Sequence, residues 1–248
     1  MKSVSLLVLM SLALLGCTPA NEADKAQNVI DKAIEANGAH LFATKKVAFD
    51  FREKHYTLSR TDSIYTYTRS YQDSAGLVKD ILINSSDFTR TLNNYEVHLT
   101  DHWKTRYGNS VNSVLYFVEI LYRLNDAAVF KSYLGKTTIK GENYHVIKVT
   151  FSQEGGGEDF QDEYRFWIHE TNYTLDYLAY NYETEGGGAR FREAYGREKI
   201  GGITFQNYVN YKPIPDTKET PLDDLPKFFE AGTLKELSRI INENIAVG

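Results

Sequence analysis

Apolar residues near the start of the chain recur at helical spacing. Between residues 24 and 36 they occupy positions i, i+3, i+4, i+7 and i+8, which lie on one face of a helix. They are Ala26, Val29, Ile30, Ala33 and Ile34. Asn37 and Gly38 follow, and both residue types tolerate the left-handed conformation that ends helices. The pattern predicts an amphipathic helix over 24–36.

From Lys45 onward apolar and polar positions alternate, which is typical of half-buried strands. Val47, Phe49 and Phe51 form one alternating set, and Tyr65, Tyr67 and Tyr71 share one face of another. Turn-forming residues separate further predicted strands near 77–83, 87–92 and 95–99. Short strands joined by tight turns predict an antiparallel meander.

Residues 109–124 interrupt this alternation. One helical stripe of apolar residues consists of Val111, Val114, Leu115, Val118 and Leu121. Phe117, Ile120 and Leu124 add apolar side chains on the other sides, so the predicted helix is hydrophobic nearly all round. Such a helix is buried on more than one side. In a chain otherwise rich in strands, we expect it to pack inside a curved sheet.

Alternation returns after this helix and predicts six strands, at 130–139, 143–152, 160–169, 174–184, 189–199 and 203–211. A Glu-Gly-Gly-Gly motif followed by Phe and Tyr occurs twice, at 154–164 and at 185–195, which predicts two hairpins with similar turns. Residues 222–231 favour a short helix. The segment 233–246 fits helix or strand, and we favour a strand because it would cover an exposed sheet edge.

These patterns predict a single α+β domain over residues 24–248. Its core is a strongly curved antiparallel sheet, an incomplete β-barrel, wrapped around the buried helix of 109–124. The helix of 24–36 precedes the sheet.

The extreme N-terminus has the features of an export signal. An apolar run over residues 5–15 follows Lys2. It has the length of a signal-peptide core and is too short to cross a bilayer of ~30 Å. Gly16 directly precedes Cys17, which resembles the bacterial lipobox, although Leu15 is bulkier than usual. We predict a lipoprotein signal peptide over 1–16, acylation of Cys17 and a polar tether over 17–23. An ordinary secretory signal with a chance cysteine is the alternative.

Composition narrows the possible functions. Apolar residues make up 42% of the chain and charged residues 25%, as in globular proteins. A net charge of −5 argues against nucleic-acid binding, which needs a basic face. Cys17 is the only cysteine, so an internal disulfide and a zinc–thiolate site are excluded, and its acylation would leave no free thiol. No other apolar run is long enough to span a membrane, so we expect the rest to be soluble.

Motifs for phosphate, metal or hydrolytic chemistry are weak. The glycine triplets at 155–157 and 186–188 lack the spacing and lysine of a phosphate loop. The acidic cluster over 154–163 is a weak Ca²⁺ candidate without EF-hand spacing. His98 and His102 lack the glutamate of the H-E-x-x-H motif, and G-x-S-x-G is absent. We therefore predict no metal and no cofactor.

Aromatic residues on the predicted strands and buried helix offer two interpretations. They either fill the core or line an apolar cavity in which tyrosine hydroxyls make a few polar contacts. Arg190 and Arg192 share one strand face and would meet a carboxylate or phosphate head group, or else pair with Asp162 or Glu163 of the neighbouring hairpin. The cavity-lining candidates are Tyr65, Tyr67, Tyr116, Phe117, Phe166, Tyr177, Tyr180, Arg190 and Arg192.

Several stretches together resemble a family of bacterial lipoproteins known only as a domain of unknown function. They are FDFREKHY (49–56), NSVNSVLYF (109–117), YLGKTTIKGENYHVIKVTF (133–151), QEGGGEDFQDEY (153–164), DYLAY (176–180) and GGGARFREAY (186–195). More weakly, the segment 133–151 is similar to a strand pair in the LolA/LolB-like carriers and receptors of outer-membrane lipoprotein sorting. That resemblance implies an incomplete barrel closed over helices, with an apolar cavity for acyl chains. It implies no particular site residue.

The expected function is that of a lipid-anchored envelope protein, in the outer membrane on its periplasmic or surface face. It would bind a lipid or acyl chain between sheet and helix without catalysis. Two alternatives remain: an envelope hydrolase with histidines and carboxylates in the same cavity, and a structural subunit of an envelope complex. The membrane is the expected partner through Cys17, and nucleic acid is not expected.

Overall fold

A computed structural model of the protein describes residues 21–61, 64–154, 161–183 and 186–248. The predicted signal peptide and Cys17 lie outside the described residues, as do Glu158 and Asp159 of the acidic cluster over 154–163. No helix in the described ranges is both long and apolar enough to cross a membrane.

The first helix, α1, spans Glu22–Ala36, and its five predicted apolar residues are all buried. Asn21 caps it, because the Asn21 Oδ1 accepts a hydrogen bond from the backbone N–H of Asp24 at 2.8 Å. The helix therefore begins two residues before the predicted start, within the segment assigned to the tether. Gly38 alone takes the left-handed conformation after the helix, with φ of 64°.

The predicted meander forms a first antiparallel sheet. Its strands are β1 (Val47–Phe51), β2 (Lys54–Thr61), β3 (Ile64–Asp73), β4 (Gly76–Ile83), β5 (Asp87–Leu92) and β6 (Tyr95–Glu96). They pair in chain order, each with the next. Arg69 on β3 lies inward with Tyr65, Tyr67 and Tyr71, and it is buried on the sheet's inner face.

A second antiparallel sheet contains the six later strands predicted from alternation. They are β7 (Val129–Ile139), β8 (Glu142–Phe151), β9 (Tyr164–His169), β10 (Leu175–Tyr182), β11 (Gly188–Ile200) and β12 (Ile203–Lys212). The preference for strand in the C-terminal segment is confirmed, but the segment forms two strands: β13 (Lys235–Ile240) and β14 (Glu243–Val247). β13 extends the second sheet beside β12, and β14 extends the first beside β1. The segment thus covers one edge of each sheet and links the two.

Two helices connect the sheets between β6 and β7. They are α2 (Asp101–Val118) and α3 (Ile120–Arg123), so the helix predicted over 109–124 begins earlier and is interrupted at Glu119. Val111 and Leu115 are fully buried, whereas Val114, Phe117 and Val118 are only partly buried. The prediction of burial nearly all round is therefore too strong. Val114, Phe117 and Val118 face open space between the sheets, whereas Ile120 and Leu124, which lie outside the main stripe, are buried.

The core has two parts. The main cluster lies between the two sheets and around α1 and α2. A smaller cluster lies on the outer face of the second sheet, beneath α4 (Leu225–Glu230) and the turn before it. The α+β class and the open, curved antiparallel arrangement around a helix are confirmed, with two sheets rather than one.

Candidate ligand-binding cavities

Two cavities flank α2. The first, of about 350 Å³, lies between the C-terminal half of α2 and strands β10–β13. The second, of about 580 Å³, lies on the other side of α2, near β3–β5 and β7–β9. Ser113 and Phe117 line both cavities. Both volumes fall within the roughly 300–1,000 Å³ typical of small-molecule sites.

Apolar side chains form just over half of the wall of the first cavity. They are Ala39, Phe42, Phe51, Val114, Phe117, Val118, Ile120, Leu121, Leu175, Phe205, Tyr208 and Ile240. The helix contributes the residues on the side of α2 that does not pack against the first sheet. Val114, Val118 and Leu121 belong to the predicted apolar stripe, so part of that stripe faces the cavity instead of the packed core.

A row of polar side chains crosses this apolar wall. Arg192 on β11 is the direct register partner of Asn210 on β12, and Asn210 is the register partner of Ser238 on β13. Register partners project from the same face of a sheet, and all three residues line the first cavity. Asn210 Nδ2 lies 3.4 Å from Ser238 Oγ, and Asn210 Oδ1 is buried without a hydrogen-bond partner.

Arg192 is a buried cation with no carboxylate partner among the described residues. It is 7% exposed, and its guanidinium lies 3.8 Å from the ring centre of Phe117. Its Nη2 donates to the Tyr180 hydroxyl at 2.9 Å, while its Nε has no hydrogen-bond partner. The other buried arginines of the described chain differ, because Arg69 pairs with Asp80 and Arg165 with acidic side chains of its own.

Glu119 lines the same cavity at the junction of α2 and α3. Its Oε1 accepts hydrogen bonds from Arg60 Nη2 at 2.6 Å and from the Tyr67 hydroxyl. Its Oε2 is buried without a partner. Burial raises the pKa of the Glu119 carboxyl, and the hydrogen bond from Arg60 opposes that rise. Oε1 of Glu119 is therefore fully hydrogen-bonded, whereas Oε2 has no hydrogen-bond partner.

The second cavity is more polar. Its wall includes Asn84, Ser85, Ser86, Asp101, Lys104, Asn109 and Asn112. Arg123 lies 4.7 Å from the ring centre of Tyr65 and 5.7 Å from that of Tyr116, and its Nε is 2.8 Å from an Asp126 oxygen. Arg123 is thus paired with Asp126, so its charge is balanced within the protein, unlike that of Arg192.

The residues predicted to line a cavity lie at different places in the structure. Tyr180 and Arg192 line the first cavity, Tyr65 and Tyr116 line the second, and Phe117 lines both. The structure places Tyr67 and Phe166 elsewhere, fully buried in the main core. Tyr67 also donates its hydroxyl to Glu119.

Tyr177 lies on the opposite face of the second sheet from Tyr180. Its ring centre is 5.6 Å from that of Phe191 and 5.7 Å from that of Phe229, in the smaller core under α4. Burial raises the pKa of Tyr177 to about 12. An odd separation along a strand reverses the face, so the two tyrosines cannot both line one cavity.

Arg190 shares a strand face with Arg192 but lines neither cavity. Its Nη1 lies 2.9 Å from an oxygen of Asp216, in the segment that follows β12. Glu163, one of the partners considered from sequence, pairs instead with Lys148 and Arg165. The salt-bridge interpretation of Arg190 therefore holds with a different carboxylate.

Sequence analysis did not single out the polar lining residues Glu119, Asn210 and Ser238. It also missed the other polar members of the first-cavity wall, which are Asn37, Arg52, Ser113, Thr204, Gln206 and Asn242. The only sequence signal for Glu119 is an acidic residue inside the apolar stretch of 114–121. Asn210 and Ser238 are ordinary strand residues until the register places them beside Arg192. None of the six histidines is among the described residues that line either cavity.

Comparisons with known proteins agree with this architecture. A LolA superfamily protein from Nitrosomonas europaea is similar over 89% of this chain and 92% of its own, with 11% identity and a TM-score of 0.51. At that identity the likeness concerns the fold alone.

Two further solved structures are more distant. A DUF1329 family protein from Desulfovibrio piger aligns over 92% of this chain and 93% of its own, with 9% identity and a TM-score of 0.44. The Mycobacterium tuberculosis lipoprotein LppX aligns over 64% and 90%, with 12% identity and a TM-score of 0.28.

The sequence comparisons are more decisive about family. No curated protein sequence matches the chain. The profile of one family matches residues 3–242, which is nearly the whole chain. The protein therefore belongs to the family of unknown function DUF6503, and it has an open, curved fold like that of the LolA superfamily.

Proposed function

We propose that this protein binds a hydrophobic or amphipathic ligand, a lipid or acyl chain, in the first cavity and performs no chemistry on it. The observation that carries the proposal is the cavity between α2 and the second sheet, whose wall combines a continuous set of apolar side chains with polar groups that include the unpaired Arg192. This is the usual composition of a small-molecule site, in which apolar walls supply affinity and sparse polar groups fix orientation.

The fold shared with a LolA superfamily protein supports this function, as does the resemblance of 133–151 to lipoprotein-sorting carriers. The second cavity is the weaker candidate, because its wall is the more polar of the two and its cation Arg123 is already paired with Asp126. A hydrolase in the first cavity would need a general base beside a nucleophile. Glu119 is the acidic residue that lines it, and no histidine is placed there among the described residues.

The second part of the proposal is that Cys17 is acylated and holds the protein at the cell envelope, in the outer membrane. Two or more acyl chains anchor a protein stably where one does not. Five residue steps separate Cys17 from the start of α1 at Glu22, and a fully extended chain of that length spans about 18 Å. Such an anchor would keep α1 and the cavities close to the bilayer surface.

Ligand binding can be tested on a chain that begins after Cys17, which retains every described helix and strand. We expect native mass spectrometry and lipid extraction to find an apolar ligand that copurifies, and an apolar fluorescent probe to bind and be displaced by fatty acids. If no ligand copurifies and no probe binds, the proposal is wrong.

Two tryptophan variants identify which cavity is used. Val114→Trp fills the first cavity and should abolish probe binding. Thr105→Trp projects into the second cavity from the same helix and should leave binding unchanged. Matching circular dichroism spectra would show that both variants fold. Loss of binding in the Thr105 variant alone would move the site to the second cavity.

The anchor has its own test. Cells that express Cys17→Ser should show no labelling of the protein by a fatty-acid probe, whereas the wild-type chain is labelled. A labelled Cys17→Ser variant would contradict the lipobox assignment.

A further inference from the structure

We infer that the ligand of the first cavity is a single-chain anionic amphiphile whose head group is bound by Arg192 and Asn210. The inference rests on the proposed function and adds the chemical class of the ligand. It starts from the charge of Arg192, which the protein leaves uncompensated.

An unpaired buried cation is costly, because an ion loses its hydration without gaining an opposite charge. Among the described residues, no carboxylate oxygen lies within salt-bridge distance of Arg192, although Arg69 and Arg165 are both paired. A guanidinium has five N–H donors, and Arg192 uses one of them, toward Tyr180. An anion in the cavity would supply the missing charge and accept the free donors.

The neighbours of Arg192 along the sheet are also suited to an anion. The Asn210 amide makes only a long contact of 3.4 Å with Ser238 and leaves one of its polar atoms unsatisfied. A 180° rotation of the amide exchanges the positions of Oδ1 and Nδ2, so the NH₂ group of Asn210 can turn toward an acceptor in the cavity. The guanidinium, amide and hydroxyl together offer donors to a group that carries several oxygens, such as a carboxylate or a phosphate.

Arg52 is a second cation in the wall, but it is exposed and lies 4.9 Å from the ring centre of Phe51, so its charge is hydrated where that of Arg192 is not. Two further polar groups are engaged within the protein. Gln206 donates to the Leu175 carbonyl and to the Tyr208 hydroxyl. Glu119 lines the cavity as well, but its charge is met by Arg60. A cationic or neutral head group would leave Arg192 as it is, buried and without a counter-charge.

The rest of the ligand is defined by the apolar wall. Val118, Leu121 and Ile240 line the same space as the polar row, so an acyl chain can lie against them while the head group contacts Arg192. The volume of about 350 Å³ is at the lower end of the range for ligand sites, which favours one chain over two.

The experiment compares ligands that share a twelve-carbon chain and differ in head group: dodecanoate, dodecyl phosphate, dodecanol and dodecyltrimethylammonium. Dissociation constants are measured on the wild-type protein by displacement of an apolar fluorescent probe. We expect dodecanoate or dodecyl phosphate to bind ten- to a hundredfold more tightly than dodecanol, as charge-assisted hydrogen bonds allow. The tighter of the two anions identifies the head group as carboxylate or phosphate.

Arg192→Met removes the cation and keeps the length of the side chain. Dodecanol should bind this variant as it binds the wild type, which shows that the cavity is intact, and the preference for anions should disappear. Arg239→Met is the matched control, because Arg239 follows Ser238 on the opposite face of β13 and is exposed. It should keep the full preference.

Three results would overturn the inference: equal affinity for dodecanol and the anions, tightest binding of the ammonium, or a preference that survives in Arg192→Met. In each of these cases an amphiphile still binds, so the proposed function stands. If none of the four compounds binds, the proposed function fails and the inference fails with it.

Discussion

Asp80 is the carboxylate on which the position of α2 depends. It is fully buried on β4, between its register partners Arg69 on β3 and Arg90 on β5. Arg69 donates to Asp80 Oδ2 at 2.9 and 2.6 Å, and Arg90 donates to Oδ1 at 2.6 Å and to Oδ2 at 3.0 Å. Both arginines also contact α2, since Arg69 donates to Ser110 and Arg90 stacks on Tyr107 at 3.7 Å.

Asp80→Asn should destabilise the protein strongly. It keeps the shape of the side chain but removes the only negative charge of the triad, so the buried Arg69 and the partly buried Arg90 face each other without a counter-charge. Removing one partner of a buried ion pair costs about 3–5 kcal/mol, and we expect the lower end because Asn retains an acceptor oxygen. For a domain of this size, ~3 kcal/mol corresponds to a fall in melting temperature of about 6–12 °C.

The assay is urea unfolding followed by circular dichroism, with thermal unfolding as a second measurement. Asp87→Asn is the matched control, because Asp87 is exposed at the start of β5 and its substitution should change the free energy of unfolding by less than about 0.5 kcal/mol. If Asp80→Asn changes the free energy of unfolding by less than about 1 kcal/mol, the triad does not hold α2 as argued. Ligand binding should weaken in parallel, since α2 forms one wall of both cavities.

Two further predictions concern the backbone and the pH dependence of stability. Gly38→Ala should lower the free energy of unfolding by about 3 kcal/mol, because φ is 64° and the new Cβ would lie 2.0 Å from the Gly202 carbonyl oxygen. Gly141→Ala, with φ of 83° and open space around it, should lower it by only about 1 kcal/mol. Equal decreases of the two variants in urea unfolding would contradict this reasoning. Burial lowers the pKa of His145, so the folded protein binds a proton there less readily than the unfolded chain does. The resulting stabilisation is present above the ordinary histidine pKa of about 6.5 and is lost as pH falls through the lowered value, and His145→Asn should therefore lose less stability than the wild type between pH 7 and pH 5. An identical decline in both proteins would refute the role of His145.

Local patterns were sufficient for most of the fold. Alternation predicts β3 because Tyr65, Tyr67, Arg69 and Tyr71 fall on one face whatever strand lies beside them. Helical spacing predicts α1 for the same reason, and all five of its apolar residues are buried. The break at Glu119 and the early start of α2 were not predicted, because the residues of 101–108 are mostly polar and exposed and carry no apolar period.

The candidate site was only partly predictable. Arg192 and Tyr180 could be proposed because aromatic and arginine side chains on a strand face are visible in the sequence. Tyr177 and Tyr180 are an odd number of residues apart on one strand, so alternation alone excludes that both line one cavity, and the tertiary structure shows that Tyr180 is the one that does. Asn210 and Ser238 gave no signal, because a polar strand residue most often faces solvent.

The sequence by itself determined α1, most of the strands, the inward face of β3 and the predicted position of the lipid anchor, because each depends on residues that are neighbours along the chain. Tertiary structure decided which charges are compensated. Arg190 is neutralised by Asp216, which is 26 residues further along the chain, while Arg192, two residues away on the same strand face, is left against Phe117. That difference arises from the pairing of β11 with β12, from the pairing of β12 with β13 and from the placement of α2, since long-range contacts have no local sequence signature. The chemistry of the proposed ligand follows from it.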